Sequence, residues 1–187
     1  RDLTDFGCHL IRRTRGKTIT PVYTQSMTEK QQFALVQDFG DFEVRRYAPH
    51  VLMQVEVQGD FMSAGNAAFG PLVSYISGNN ESNTKFAMTA PVIQEPTSAK
   101  THIVSFVLPN GTDPSDVPVP KDSRVSLKFV PEQLAAVRKF GGGWNDERFM
   151  AEGELLRNAV KSQGYKAVGN LYWARFDPPW KPGFLKR

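Results

Sequence analysis

The sequence predicts an α+β fold in which a duplicated half-unit contributes its strands to one curved sheet or barrel, flanked by two α-helices. Three observations lead to this prediction. Short segments of alternating apolar side chains recur along the chain, two longer segments show helical spacing, and the same order of elements occurs twice.

The predicted strands are short and are separated by turn residues. Val51, Met53, Val55 and Val57 alternate strictly, which is typical of a strand with one buried face. Gly40 and Asp41 separate two similar segments and indicate a turn. We predict strands at residues 33–39, 42–47, 51–57, 83–96, 101–108, 124–130, 133–140 and 169–176.

Two helices are predicted from their capping residues and their spacing. Asp60 is suited to cap the N-terminus of a helix over residues 61–76, and Gly78 follows as a stop. Asn145 is suited to cap a second helix over about residues 145–163, which Gly164 ends. The second helix carries two acidic residues in its first turn, where they interact favourably with the helix dipole.

The order of elements repeats along the chain. Pro49 precedes Gly59 by the same distance as Pro131 precedes Gly141, and the two pairs are 82 residues apart. In both places the proline follows a strand and the glycine precedes a helix. The sequence therefore predicts an internal duplication.

We predict one domain at residues 27–187, with pseudo-repeats at about 33–108 and 124–187. Residues 1–26 lack the regular apolar pattern of the rest and are interpreted as an N-terminal extension or appendage. Their arginines fit an organelle leader only weakly, because acidic residues interrupt them.

Charge and cysteine content narrow the functional classes. The net charge of +4 is concentrated at the two ends, with +3 in residues 1–17 and +3 in residues 175–187, so the body of the chain is slightly acidic. This distribution argues against a broad nucleic-acid-binding face. Cys8 is the single cysteine, which excludes an internal disulfide and favours the cytoplasm, although an organelle stays open. No apolar run approaches the roughly 18–20 residues of a membrane span.

The first helix carries two apolar stripes. Its core stripe follows helical spacing and should pack on the sheet. A second stripe lies about 100° away around the helix. Gly65 and the Gly70–Pro71 pair would bend this helix and let another surface approach, which favours an apolar cleft for a small molecule over simple deep burial. The core stripe is Phe61, Ala64, Ala68, Leu72 and Ile76, and the second stripe is Met62, Asn66, Phe69 and Val73.

The segment NTKFAMTAPVIQEP, residues 83–96, is an unusual strand candidate. Alternate residues from Phe86 to Val92 are apolar, whereas the other face carries the small residues Ala87 and Thr89. Pro91 lacks the N–H that a ladder needs and should end regular pairing. We predict that the face with the small side chains of Ala87 and Thr89 lies beside the cleft. Burial of these two residues in a filled core would instead indicate a role in folding.

The sequence lacks the common catalytic motifs. Gly141–Gly143 is interpreted as a bulge or turn, because the Lys-Ser/Thr of a phosphate-binding loop is missing. His9 belongs to the extension, and His102, which begins a strand, is predicted to be a surface or strand-end residue. His50, after the turn at Pro49, could face a cleft or solvent and is a weak candidate for a metal ligand.

Four segments, in order, resemble the SOUL family of haem-binding proteins. KFAMTAPV at residues 85–92 resembles the family signature, and FEVRRYAPH at 42–50 resembles its early strand and turn. VRKFGGGWNDERF at 137–149 and ARFDPPWKPGFLKR at 174–187 resemble its strand-to-helix junction and its C-terminal segment. The resemblance spans nearly all of residues 33–187.

The resemblance implies a twisted antiparallel β-barrel flanked by two helices, and haem or another tetrapyrrole as the ligand. It implies a cleft wall at Asn66, Phe69 and Val73, and contacts from Lys181 and Lys186 to the propionates. Some members are thought to ligate iron through a histidine at the position that Arg46 occupies here. His50 does not inherit that role, and the histidine-free branch of the family implies that the porphyrin can be held without iron ligation.

Three functions follow as hypotheses. The first is a tetrapyrrole carrier or buffer. The second is an enzyme on the same scaffold, removing haem iron or hydrolysing a small molecule, as distantly similar GyrI-like domains suggest, with Glu43, Glu56 or Glu152 as candidate carboxylates. The third is an interaction module whose apolar cleft accepts a partner helix. The sequence predicts neither a nucleic-acid partner nor a membrane span.

Overall fold

The structure is a computed structural model that describes residues 28–141 and 145–176, together with the strand segments at residues 2–3 and 6–7. Two helices are present, α1 (Phe61–Ile76) and α2 (Asp146–Ser162), with a 3₁₀ turn at Pro114–Asp116. The strands are β1 (Asp2–Leu3), β2 (Phe6–Gly7), β3 (Glu29–Lys30), β4 (Ala34–Asp38), β5 (Glu43–Tyr47), β6 (His50–Gln58), β7 (Thr89–Ala90), β8 (Val92–Ser98), β9 (Thr101–Val107), β10 (Val125–Val130), β11 (Gln133–Val137), β12 (Lys166–Ala167) and β13 (Trp173–Arg175).

The strands form two main sheets. A five-stranded antiparallel sheet has the order β10-β6-β9-β8-β13, and a four-stranded sheet has the order β2-β11-β5-β4. Short parallel pairs, β1 with β12 and β3 with β7, complete the described strands. The α+β class with two helices is thus confirmed. Within the described residues the strands form separate sheets and no closed ring, so the barrel and the duplication stay predictions.

A sharp bend joins the two main sheets. The ladder between β6 and β10 ends at the pair His50 and Val130, and the ladder between β5 and β11 begins at Tyr47 and Gln133. A proline lies in each interruption, Pro49 on one side and Pro131 on the other. Because proline lacks a backbone N–H, both chains leave the ladder at the same place, and the sheets diverge on either side of it.

Each helix covers the outer face of one sheet. Alternate residues of β6, including Met53 and Val55, pack with Ala68 and Leu72 of α1 in the largest apolar cluster. On the four-stranded sheet, Val44 packs with Leu156 and Val160 of α2. The opposite, inner faces of the two sheets carry a different set of side chains, because successive residues of a strand point to opposite faces.

The sequence predicted both helices closely, for identifiable reasons. Asp60 and Asn145 are the N-caps, and the core stripe of α1 is buried. Helix α1 continues through Pro71, which is itself buried. The strand predicted at 133–140 ends at Val137, beyond which Arg138 and Lys139 turn to ion pairs with Glu152 and Glu43.

Two predictions about local structure were wrong. Residues 83–88 of the strand predicted at 83–96 lie outside any strand, since β7 contains only Thr89–Ala90 and β8 begins at Val92. His102 lies at the start of β9, as one alternative predicted, but it is not at the surface: it is buried, with its ring 5.9 Å from that of Phe61. It occupies the face of β9 that also carries Val104 and Phe106, so the strand's alternation places it inside.

Candidate ligand-binding site

Helix α1 presents the predicted site surface, and its N-terminus is firmly capped. Asp60 Oδ1 accepts hydrogen bonds from the backbone N–H groups of Met62 at 2.9 Å and Ser63 at 2.8 Å. These bonds, led by the one from Ser63, hold the pKa of Asp60 below its usual value. The first turn is therefore fixed at the position where the predicted second stripe begins.

The second stripe lies on the solvent side of α1. Met62 is 48% exposed and Phe69 is 38% exposed, and Asn66 between them is also exposed. Val73 is half-buried against the core. The Phe69 ring meets the Phe106 ring edge-on at 5.7 Å, which anchors it over the sheet. The structure thus brings these four residues together on one open, largely apolar face.

The signature segment lies under the C-terminal end of α1 and binds it to the sheet. Phe86 donates its N–H to the last helical carbonyl, that of Ile76, at 2.9 Å, and its ring stacks 6.0 Å from that of Tyr75. Thr89 is buried and donates its hydroxyl to the carbonyl of Val107. Ala87, by contrast, is exposed. Thr89 therefore has the folding role that the sequence left open, whereas Ala87 does not.

Arg175 is a cation near α1 that the sequence analysis missed. Its guanidinium lies 5.2 Å from the Phe61 ring and donates to the side-chain oxygen of Gln94. Burial lowers its pKa to about 10. Gly65 permits this approach, since a Cβ there would lie 2.7 Å from Arg175 Nη1. The available sequence signals were Gly65 and the segment that begins at Ala174.

His50 lies away from the α1 surface. It precedes Leu52 and Gln54 on the inner face of β6, whereas α1 covers the outer face, and its Nδ1 is 2.8 Å from the carbonyl of Ala48. The structure therefore does not bring His50 together with Met62, Asn66, Phe69 and Val73. Lys181 and Lys186 lie outside the described residues.

The candidate carboxylates do not share a site. Glu43 pairs with Arg45 and Lys139, and Glu152 pairs with Arg138 at 2.8 Å, while Glu56 is exposed on β6. Across residues 28–141 and 145–176 no three metal-binding side chains gather. Within the same residues no helix is long and apolar enough to cross a membrane.

A cleft opens between the inner faces of the two sheets, beside the proline bend. Its volume is about 310 Å³. One wall includes Tyr47, the other Ile93 and Glu95, and the floor includes Leu52, Gln54 and Ser105. We call this space the inner cleft. Helix α1 does not reach it, because the five-stranded sheet lies between them.

Because of Tyr47, which lines the inner cleft, we expect the folded protein to lose stability at alkaline pH. Burial raises its pKa to about 12, although the charge of Arg45 acts in the opposite direction. The unfolded tyrosine ionises near pH 10, so between pH 10 and 12 only the unfolded state loses the proton. We expect this tyrosine to cost about 2–3 kcal/mol of stability across that interval, measured by urea unfolding.

Tyr47→Phe should remove this share of the pH dependence. Tyr75 is the appropriate comparison, because burial also raises its pKa to about 12, and its hydroxyl donates to the Pro118 carbonyl at 2.6 Å. Tyr75→Phe should remove a separate share of the pH dependence. The stability of the double variant should therefore change less between pH 10 and 12 than that of either single variant. An unchanged slope between pH 10 and 12 in Tyr47→Phe would contradict the assignment.

Comparison with solved structures defines the class of fold. The chain is similar to the C-terminal domain of EcmrR, with a TM-score of 0.57, 11% identity, and coverage of 76% of this chain and 89% of that one. It also matches EcmrR in a complex with DNA, with a TM-score of 0.56 and 11% identity over 76% of this chain and 53% of that chain. At this identity the likeness concerns the fold alone.

Sequence comparison then identifies the family. The family model described as "SOUL heme-binding protein" matches residues 28–187. Heme-binding protein 2 of Mus musculus is 30% identical over 153 residues, covering 76% of this chain and 73% of its own length. Heme-binding protein 2 of Homo sapiens is 31% identical, with the same coverage. The chain belongs to the SOUL family, as the signature segments predicted.

Proposed function

We propose that this protein binds haem or a related tetrapyrrole on the exposed face of α1, as a carrier or buffer. The observation that carries the proposal is the open apolar face formed by Met62, Phe69 and Val73 on a SOUL-family scaffold. A flat macrocycle would cover these side chains, and removing apolar surface from water contributes about 25 cal/mol per Å². Asn66 supplies a polar group at the same face.

The chemistry of the face fits a porphyrin ring better than a ligated iron. Of the histidines in residues 28–141 and 145–176, His50 lies at the inner cleft and His102 is buried beneath the start of α1. Neither is on the exposed face of the helix. Bound haem would supply its own redox chemistry, whereas the chain would contribute apolar contact and orientation. We propose Lys181 and Lys186 as partners of the propionates.

A titration with hemin and with protoporphyrin IX tests the proposal. Both should quench tryptophan fluorescence saturably at micromolar concentration, and the metal-free ring should bind about as tightly as hemin. His50→Ala should leave both affinities unchanged. If neither compound binds, the proposal fails; if hemin alone binds tightly, the iron is ligated and the proposed mode of binding is wrong.

The double substitution Met62→Gln with Phe69→Gln should weaken protoporphyrin IX binding about tenfold or more. It replaces apolar contact with amide groups that lose water on binding, and a factor of ten corresponds to about 1.4 kcal/mol. Fluorescence titration gives the ratio of dissociation constants. Met150→Gln with Leu155→Gln is the matched control, because both residues are exposed apolar side chains on α2. Equal loss in the two double variants would contradict the assignment to α1.

We also infer that the two halves of the domain are related by duplication. At an offset of 82 residues, β5 corresponds to β10, β6 to β11, and α1 to α2. The pairing supports this, because exchanging the halves converts the β5–β11 ladder into the β10–β6 ladder. The two proline corners then occupy equivalent positions on the two sides of the bend.

A further inference from the structure

The inner cleft has the attributes of a second ligand site. It combines a concave space of about 310 Å³ with apolar walls and a few convergent polar groups. The face of the five-stranded sheet that lines the cleft carries a buried apolar cluster that includes Leu52, Ile93 and Val130, with Tyr172 packed against it. It lies on the reverse side of the five-stranded sheet from α1, so the proposed tetrapyrrole face does not use it.

The floor of the inner cleft carries buried hydrogen-bonding groups. Ser105 is 1% exposed, and its Oγ accepts a hydrogen bond from Gln54 Nε2 at 3.0 Å. Among the described residues, this bond leaves the Ser105 hydroxyl proton and the Gln54 side-chain oxygen without partners. Both side chains line the inner cleft, so these groups are available to a ligand. A ligand with its own amide or hydroxyl groups would satisfy both.

Opposite charges lie at the two ends of this floor. Glu95 lines the cleft from β8, and one of its oxygens is held by Asn170 Nδ2 at 2.7 Å. Lys128 lines it from β10 and makes no ion pair within the described residues. Strands β9 and β6 lie between β8 and β10, so Glu95 and Lys128 are three strand spacings apart, roughly 14 Å across the sheet. Lys128 also lies four residues along β10 from the position level with Glu95, roughly 13 Å, so the two backbones are roughly 19 Å apart along a diagonal that crosses Gln54 and Ser105.

We propose that the inner cleft binds a small zwitterion of the size of a di- or tripeptide. Its ammonium group would meet Glu95, its carboxylate would meet Lys128, and its amide groups would lie over Gln54 and Ser105. An extended tripeptide spans roughly 10 Å, which fits between two charged side chains that reach toward each other. The balanced charge of the cleft favours a ligand with both signs over an anion or a cation.

The first test uses the tripeptide Gly-Phe-Gly with free termini, and the same peptide acetylated, amidated, or blocked at both ends. In NMR titrations of the full chain, the free peptide should shift the amide signals of Gln54, Ser105 and Glu95 saturably at submillimolar concentration. Blocking either end should weaken binding at least tenfold. Equal binding of the free and doubly blocked peptides would overturn the proposal, as would the absence of shifts up to millimolar peptide.

Two variants test which residue binds each end of the peptide. In Glu95→Gln, the free and N-acetylated peptides should bind equally, and in Lys128→Met, the free and C-amidated peptides should bind equally. Glu56→Gln is the control, since this exposed carboxylate lies on the same sheet outside the cleft and should leave the free peptide's affinity unchanged. If the end-group dependence persists in both cleft variants, these residues do not recognise the termini and the proposal fails.

Competition separates this site from the tetrapyrrole face. Saturating protoporphyrin IX should leave the peptide affinity unchanged, and the variant Met62→Gln with Phe69→Gln should still bind the peptide. Loss of tetrapyrrole binding alone would thus refute the proposed function and not the inner cleft. Displacement of the peptide by protoporphyrin IX would refute the inner cleft as a separate site.

Discussion

Glu43→Ala is expected to lower the free energy of unfolding by about 3–5 kcal/mol, because it leaves a buried guanidinium without its counter-ion. Arg45 is fully buried, and its Nε and Nη2 atoms lie 2.8 and 2.6 Å from Glu43 Oε2. Its guanidinium also lies 3.8 Å from the centre of the Phe33 ring, which shields one face of the cation from water. Lys139 would lose the same partner.

Urea unfolding at neutral pH measures this effect, with Glu132→Ala as the control. Glu132 pairs with Arg46 at 3.6 Å, but both side chains are more than half exposed. Exposed pairs of this type contribute about 0–1 kcal/mol, so the control should stay close to the wild type. A loss below about 1 kcal/mol in Glu43→Ala would show that Arg45 is not buried in the way described.

Gly153→Ala in α2 is expected to destabilise the fold by about 1–3 kcal/mol, although alanine is the better helix former. Gly153 is buried, and an added Cβ would clash with Leu171 Cδ2, with the other methyl group and the Cγ atom of that leucine within 3.5 Å. Leu171 is packed against two apolar clusters, so moving it also disturbs α2 and the aromatic group that includes Trp173.

Gly70→Ala in α1 is the matched substitution. A Cβ at Gly70 has no atom within 4 Å, so this variant should gain about 0.5–1 kcal/mol from helix propensity alone. The two substitutions are chemically identical and should move the unfolding midpoint in opposite directions. Destabilisation of the same size in both would show that steric contact at Leu171 is not the cause.

Local patterns were sufficient for the elements and for the family. Asp60 and Asn145 cap helices because a short polar side chain reaches the first free N–H groups wherever such a residue precedes an apolar helical period. The strict alternation of β6 likewise reports a buried face. The segment from Lys85 to Val92 identified the family. Its alternation of small and apolar residues did not predict its secondary structure, because residues 85–88 form no strand and pack beneath a helix.

At the candidate site, too, local patterns related only residues that are close together in the chain. Helical spacing places Met62, Asn66, Phe69 and Val73 on one side of α1, because they share one helix and helical geometry relates them directly. It could not relate His50 to that helix, since which face of a strand a helix covers depends on sheet pairing far along the chain. Arg175 was missed for the same reason: its neighbours Gly65 and Gln94 are distant in sequence.

By itself the sequence determined the helices with their caps, most of the strands, the family, and the grouping of the α1 residues. Each of these follows from residues close together in the chain, where bond geometry and side-chain period leave few alternatives. Only the tertiary structure decided that His102 is buried, that Arg175 approaches Gly65, and that Tyr47, Glu95 and Ser105 surround one cleft. Those contacts depend on long-range strand pairing and on the bend at Pro49 and Pro131, which no local pattern specifies.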